Sequence, residues 1–347
     1  MTVSDQVKSD TEVLKRASTL CILLPEAFSE LCFVIPAIRA IKNSYPSIKI
    51  TAVCVQAHAS FIDLLPEIDI VLSYQPKTSV RQLVSLWQGY ISDCEVAIIW
   101  SELTIAKVIE RLGIKERLGS ADSKITNHLT RAIDLEQKPG PVEHRVRYYL
   151  NFAAQLGADS YNKVNFTPLS VKSDEGHTKR VIIAPWSNYG VSHHWREDNY
   201  QGLIEALTNK HPDIELVVYS ELFYSAKEVA KHSLSLGIDV SVEQFLDLQQ
   251  AAESFREGDV LLAVDSDLAH LAACFGIPAV VMFGANEPRW KRPLGKQSKV
   301  IREYVPCSPC YLEKCPIDHR CMNSIGVESV MAELDEFLTP QVVCAGK

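Results

Sequence analysis

The sequence predicts an α/β protein of two Rossmann-like, doubly wound parallel-sheet domains facing a cleft. Three observations lead there. Several strand-length runs are apolar without alternation, such as TLCIL, RVIIA and VLLAV, which suits strands covered on both faces. These runs alternate with stretches of helical spacing, and the alternation restarts in the second half of the chain. A chain of 347 residues also exceeds the usual size of one compact core. The expected division is 1–170 and 171–347, joined through the polar, aperiodic stretch TPLSVKSDEGHTK at 167–179.

The elements follow in order. TLCILLP opens the first domain, and the helical stretch VIPAIRAIKNSYP leads to the strand KITAVCV. PEIDIVLSY supplies another strand, VRQLVSLWQGYI a helix, and EVAIIW a further strand. SELTIAKVIERLG and VEHRVRYYLNFAAQLG read as helices. The second domain begins with RVIIAPW, then the helix YQGLIEALTNKHP, the strand IELVVYS, and helices in AKEVAKHSLSLG and EQFLDLQQAAESF. After the strand VLLAV, the helix LAHLAACF and the strand AVVMF come a cysteine-rich loop and a final amphipathic helix, SVMAELDEFL.

The most informative stretch is residues 260–284, VLLAVDSDLAHLAACFGIPAVVMFG. An apolar strand stops at Asp265-Ser266-Asp267, three good N-cap residues, and a helix follows. The positive end of that helix then lies at the carboxyl edge of a parallel sheet, where open α/β folds take phosphorylated ligands. An ordinary β-α-β unit with acidic caps reads the same way locally.

Composition narrows the classes. A hydrophobic content of 47% with 22% charged residues is that of an ordinary globular chain. A net charge of −8 offers no general basic surface for nucleic acid. No apolar stretch reaches the ~18 residues needed to span a bilayer, and the first seventeen residues are polar, so a cytoplasmic protein is expected. Neither first strand is followed by Gly-x-Gly-x-x-Gly, which weakens a dinucleotide-oxidoreductase reading.

Four stretches, in order, resemble the glycosyltransferase family that contains the lipopolysaccharide heptosyltransferases (family 9), whose architecture is called GT-B. PEAFSELCFVIPAIRAIKNSYP is similar to the family's first loop and helix, where Gly-Asp precedes a Pro by six residues. APWSNYGVSHHW resembles the loop that opens the second domain, usually Pro-Gly-Ala-Ser, a spacer, then Lys-Arg-Trp. DSDLAHLAACFGIPAVVMFG resembles the signature Asp-Ser/Thr-Gly-x-x-His-x-Ala with Gly-x-Pro and Phe-Gly. CSPCYLEKCPIDHRCM resembles a cysteine-rich segment that follows this signature in many members.

The resemblance implies an inverting transfer of a heptose-like sugar from a nucleotide-diphosphate donor, typically ADP-heptose, to a lipid-linked saccharide acceptor. Such a protein would be cytoplasmic, or peripheral at the inner face of the inner membrane. Glu30 stands where the family has the Asp that takes the acceptor's proton, and Ser29 replaces the preceding Gly. The donor would meet Ser187, Asn188, His193 and His194 in the second domain's first loop. It would also meet Asp265, Ser266, Asp267, Leu268 and His270 at the signature helix. Asp267 replaces the family's Gly, so its carboxylate must cap the helix or point away from a diphosphate. His193 and His194 replace Lys and Arg, so turnover is expected to rise as pH falls from 8 towards 6 (from an ordinary His pKa near 6.5). Arg289, Lys291 and Arg292 could restore the missing positive charge, or form a solvated basic loop. Glu221 and Glu228 could reach a ribose.

Cys307, Cys310, Cys315 and Cys321, with His319 as a spare ligand, could hold a structural zinc ion. Reduced thiols packing a loop, or disulfides, remain open. Catalysis is expected to need no metal. Two rivals stay in view: a transferase with another donor or acceptor, and a degenerate member that binds nucleotide-sugar or glycolipid without turnover. A nucleotide-sugar epimerase of similar build is more distant.

Overall fold

A computed structural model describes residues 13–100, 102–121, 124–135, 143–173, 179–220, 240–245 and 247–339. The helix expected at AKEVAKHSLSLG, the candidates Glu221 and Glu228, and Cys344 lie outside them. The chain divides into two compact units, Met1–Thr167 and Pro168–Lys347.

In the first unit six strands form one sheet: β1 Thr19–Leu23, β2 Lys49–Val55, β3 Ile70–Tyr74, β4 Val96–Ile98, β5 Glu116–Ser120 and β6 Arg131–Ile133. Their order is β3-β2-β1-β4-β5-β6 and every pairing is parallel. The helix Phe28–Ser44 follows β1 and buries most of its length because it is apolar nearly all round. Helix Val80–Ile91 starts at a Ser79–Gln82 capping box. Its face Leu83, Trp87 and Ile91 joins a core built on Val53, Ala97, Ile105 and Ile109.

The second unit repeats the plan with β7 Arg180–Ala184, β8 Glu215–Ser220, β9 Ser241–Gln244, β10 Val260–Val264, β11 Ala279–Phe283 and β12 Ser298–Arg302. The order is β12-β11-β10-β7-β8-β9, again wholly parallel. Strands β7, β10 and β11 are buried at every position, as their unbroken apolar runs predicted. The closing helix Val327–Leu338 packs Val330, Leu334 and Leu338 into the core with Leu203 and Leu207 of helix Glu197–Lys210.

The structure corrects the sequence reading in five elements. β5 and β6 carry too few apolar residues to announce themselves, and β9 and β12 lie at the two edges of their sheet, where one side stays open. Helix Leu248–Ser254 is shorter than the expected EQFLDLQQAAESF. Glu243 and Gln244 belong to β9, and Asp247 starts the helix by accepting from the Gln250 amide.

Both sheets are doubly wound, so each reverses its winding once, between β1 and β4 in the first and between β7 and β10 in the second. Such switch points open a crevice at the carboxyl ends of the strands. Among the described residues no helix is long and apolar enough to cross a membrane.

Candidate functional site

In the second unit, β7 runs into the loop Pro185-Trp186-Ser187-Asn188-Tyr189, and its neighbour β10 runs into Asp265-Ser266-Asp267. Register therefore sets these two loops side by side, and polar contacts lock them together. Ser187 Oγ donates to the Asp265 carbonyl at 2.6 Å. Asn188 Nδ2 donates to Asp267 Oδ2 at 2.9 Å while the Asp267 amide donates back to Asn188 Oδ1 at 3.0 Å. Tyr189 OH reaches Asp267 Oδ1 at 2.6 Å. Asp267 thus satisfies the condition its sequence position imposed: its carboxylate is turned into the β7 loop and held there by two donors.

Ser266 is the N-cap of helix Asp267–Cys274, yet its side chain makes no capping bond. Its hydroxyl is fully buried with no hydrogen-bond partner. The expectation of three interchangeable caps is thereby corrected: Ser266 is the cap by position, Asp267 is the first helical residue, and Asp265 ends the strand. Leu268 is buried, so a ligand contact there would be through its main chain, and His270 is buried within the helix.

Asp265 is wholly buried. Its Oδ2 accepts from Asn286 Nδ2 at 2.6 Å and lies 3.5 Å from His193 Nδ1. Burial raises its pKa to about 7, partly opposed by Asn286 and Lys291 and reinforced by Asp267. Burial, then the neighbouring His194 and His319, lowers His193 to about 4. The two shifts agree on a neutral carboxyl beside a neutral imidazole below neutral pH, so the contact is not an ion pair. His194 is also lowered, chiefly by burial, and its Nε2 accepts from the Ser187 amide at 3.3 Å. Burial works against the expected rise in charge on these histidines between pH 8 and 6: it puts His193 well below that range and shifts His194 in the same direction. Lys291, by contrast, stands near enough for its charge to favour the ionised forms of both Asp265 and Asp267.

The cysteine-rich loop forms one wall of this site. The amides of Cys310 and Tyr311 donate to the Ala285 carbonyl at 3.0 and 2.9 Å, just past β11. The Ser192 amide donates to the Glu313 carbonyl at 3.0 Å, Ser192 Oγ to the Leu312 carbonyl, and His319 Nε2 pairs with the Ser192 carbonyl at 2.6 Å. Gly190 has φ +116° and sits so tightly that a Cβ would fall within 3.0 Å of the Glu313 backbone. All four thiols of the loop are free. Burial first, then Cys310, Cys307 and Cys315, raises the pKa of the Cys321 thiol. Among the described residues no three His, Cys, Asp or Glu side chains are arranged to hold a metal ion.

The first unit carries a separate carboxylate site at its own switch point. Glu30 lies in the first turn of helix Phe28–Ser44, where the helix dipole favours an anion. Its Oε2 accepts from Arg145 Nε at 2.9 Å and Tyr149 OH at 2.7 Å. Arg145 lies over the Tyr148 ring at 4.1 Å, and Tyr149 meets Trp100, just past β4, edge-on at 4.9 Å. Burial, then the Glu30 charge, raises the Tyr149 hydroxyl well above its ordinary value, so it remains a donor. Ser29, in place of the family's Gly, is an ordinary buried helical residue, and the backbone there needs no glycine. Nearby, Glu26 Oε1 accepts from Tyr74 OH at 2.9 Å. Burial, then Glu26, raises the pKa of Glu102.

Sequence reasoning missed Tyr189 and Asn286 in the second unit, and Arg145 and Tyr149 in the first, and it named His319 only as a spare metal ligand, not as a partner of the Ser192 carbonyl. Tyr189 lies within the recognised stretch APWSNYGVSHHW and Asn286 two residues beyond the Phe-Gly motif, which is a usable signal. Arg145 lies 115 residues from Glu30, and nothing local connects them.

The sequence model of glycosyltransferase family 9 (heptosyltransferase) matches residues 106–320. The lipopolysaccharide core heptosyltransferase OpsX of Haemophilus influenzae is 19% identical over 300 residues, 82% of this chain and 84% of the relative. The structure of the E. coli ADP-heptose LPS heptosyltransferase II superposes with a TM-score of 0.71 at 17% identity, over 92% of this chain and 98% of that one. E. coli heptosyltransferase WaaC, solved with ADP-2-deoxy-2-fluoro heptose, superposes with a TM-score of 0.66 at 16% identity, over 92% and 99%. The fold is GT-B.

Proposed function

The chain belongs to glycosyltransferase family 9, the heptosyltransferases, and on that premise we propose that it moves a heptose-like sugar from ADP-heptose, or a close nucleotide-diphosphate relative, to a lipopolysaccharide-core or related glycolipid acceptor. Support for the donor comes from the E. coli relative solved with an ADP-heptose analogue; support for the acceptor comes from the name of the H. influenzae relative. One observation of this chain carries most weight. The orphaned Ser266 hydroxyl and the start of helix Asp267–Cys274 lie at the switch point of the second sheet, a ready place for a diphosphate.

The chemistry divides between the units. Glu30 takes the proton from the acceptor hydroxyl, which attacks the anomeric carbon opposite the departing diphosphate, inverting it. Arg145 and Tyr149 hold Glu30 through its Oε2 and so orient the carboxylate that acts as the base. On the donor side, Ser266 and the helix-start amides take the diphosphate. Lys291 supplies fixed positive charge where burial disfavours the charged forms of His193 and His194. Asp265 keeps the turn in shape from beneath, with Asn286 and His193. The protein works in the cytoplasm, at the inner face of the inner membrane, where a lipid-linked acceptor is presented.

No step needs a metal. The four clustered cysteines match zinc in chemistry and number but not in arrangement, so a structural zinc there rests on donor chemistry alone. It would require the loop to draw its sulfurs together. About one zinc per chain in protein purified without chelators supports it, and a markedly substoichiometric content dismisses it.

Calorimetric titration of wild type and Glu30→Gln with ADP-heptose, beside ADP, UDP and GDP, tests the function. Both proteins are expected to bind ADP and ADP-heptose selectively. With a core acceptor, Glu30→Gln should lose about 10²–10⁴-fold in turnover. Selective binding of UDP or GDP would discard heptose. Binding without turnover in wild type would make the chain a binding protein.

A further inference from the structure

The cysteine-rich loop has an inner face against the donor site and an outer face against solvent. The outer face carries several exposed apolar side chains. Tyr304 is 80% exposed and Ile317 63%, with Tyr311 and Leu312 exposed beside them. Val191 is exposed on the turn that the loop grips through Ser192. In the second unit, among the described residues, the only other large hydrophobic side chain so exposed is Val242, on the edge strand β9. The apolar exposure of that unit is therefore gathered at one place, the carboxyl rim of the sheet around the candidate donor site.

The same rim is basic. Residues 287–320 contain eight Lys and Arg against four Asp and Glu, a net charge of +4 in a chain whose net charge is −8. Some of this is spent internally: Lys299 pairs with Glu333 and Glu336, Arg302 with Glu287, and Arg320 with Asp318. Lys314 is exposed on the loop itself, next to Glu313, while Arg289 is exposed on the adjoining segment. Basic and aromatic groups are interleaved. The Arg302 guanidinium lies 4.9 Å from the Tyr304 ring centre, Lys291 5.6 Å from that of Trp290, and Trp290 meets Tyr311 edge-on at 6.2 Å.

We propose that this rim is a docking surface for an anionic phospholipid bilayer. The inference rests on the reading that the acceptor is lipid-linked, and adds to it which face of the protein meets the membrane. Tyrosines suit the headgroup boundary because their rings are apolar and their hydroxyls polar. Ile317 and Leu312 insert beyond them, and the basic side chains neutralise lipid phosphate. A nucleic acid would need a stronger positive field than this mixed loop offers, and a bilayer needs the exposed apolar groups that are present. Because the inner face is hydrogen-bonded to Ser192 and Ala285, the surface is held rigidly beside the donor loop. A glycolipid headgroup is thus presented at the edge where transfer takes place.

Flotation of the full-length chain with vesicles of mixed phosphatidylethanolamine and phosphatidylglycerol, against phosphatidylcholine alone, tests this. Wild type should float with the anionic vesicles, less so as salt is raised. Tyr304→Ser with Ile317→Ser should weaken that binding by about ten-fold or more, and should leave ADP-heptose affinity by calorimetry unchanged. Equal flotation of the variant, or none by wild type, overturns the proposal. A dimer in vesicle-free buffer that the variant loses, with vesicle binding unaltered, would assign the rim to a second copy of the chain instead. Failure to bind any nucleotide while flotation behaves as expected would sink the donor reading and leave the surface standing.

Discussion

Asp265 and His193 show how far burial can move two neighbouring side chains, and the consequence is measurable as stability. The folded pKa of Asp265 is about 7, against an ordinary 3.8. Between those values the folded state holds a proton that the unfolded state has lost, so stability falls as pH rises through this window. His193 acts oppositely. Its folded pKa is about 4 against 6.5, so the unfolded state binds the extra proton and stability rises with pH between them. In wild type the two slopes nearly cancel from about pH 4 to 6.5. Asp265→Asn removes one slope, so its unfolding free energy should rise over that range by about 1 kcal/mol per pH unit relative to wild type. Parallel denaturation curves for the two proteins would refute the neutral pairing. Neither residue's state was legible in the sequence. The resemblance named both as site residues, but only their burial moves the histidine's titration below the expected range.

At the scale of elements, the donor site depends on how the cysteine-rich loop seats against the β7 loop. Gly190 and Gly258 make a useful pair, since both have positive φ, at +116° and +93°. A Cβ at Gly258 meets nothing within 4 Å, whereas one at Gly190 collides with the Glu313 backbone. Alanine at Gly258 should therefore cost only backbone strain, about 1 kcal/mol, and alanine at Gly190 about 1–3 kcal/mol more, because the loop must also shift. Thermal unfolding of both variants reads the difference, and equal losses would mean that the loop does not press on the turn. The cysteine motif left a metal, packed thiols and disulfides open, and the structure adds a mechanical role for the loop. That role runs through the main chain of Glu313, Leu312 and Ser192, which carries no sequence signature. Buried strands were legible because a strand covered on both faces must be apolar throughout. β5, β6, β9 and β12 escaped because pairing at or near an edge demands only partial burial.

In the second unit as a whole, the sheet divides its polar groups between two ends. At the amino end of the second sheet, Arg180 makes a bidentate pair with Asp259 at 2.7 and 2.8 Å and also bonds the Ser254 carbonyl, which satisfies a buried charge. At the carboxyl end, Ser266 Oγ and His193 Nδ1 are buried without hydrogen-bond partners, a cost that a bound ligand would relieve. Topology explains the division, because successive loops at a switch point part and leave room there. The sequence by itself determined the alternating architecture, the restart of the second domain and the loops that face its switch point. It could do so because strand burial, helix capping and chain order are local properties. Only the tertiary structure decided that Asp267 turns into the β7 loop, that Arg145 and Tyr149 hold Glu30, and that His193 stays neutral. Each of those depends on groups brought together from distant positions and on their removal from water, which no local pattern records.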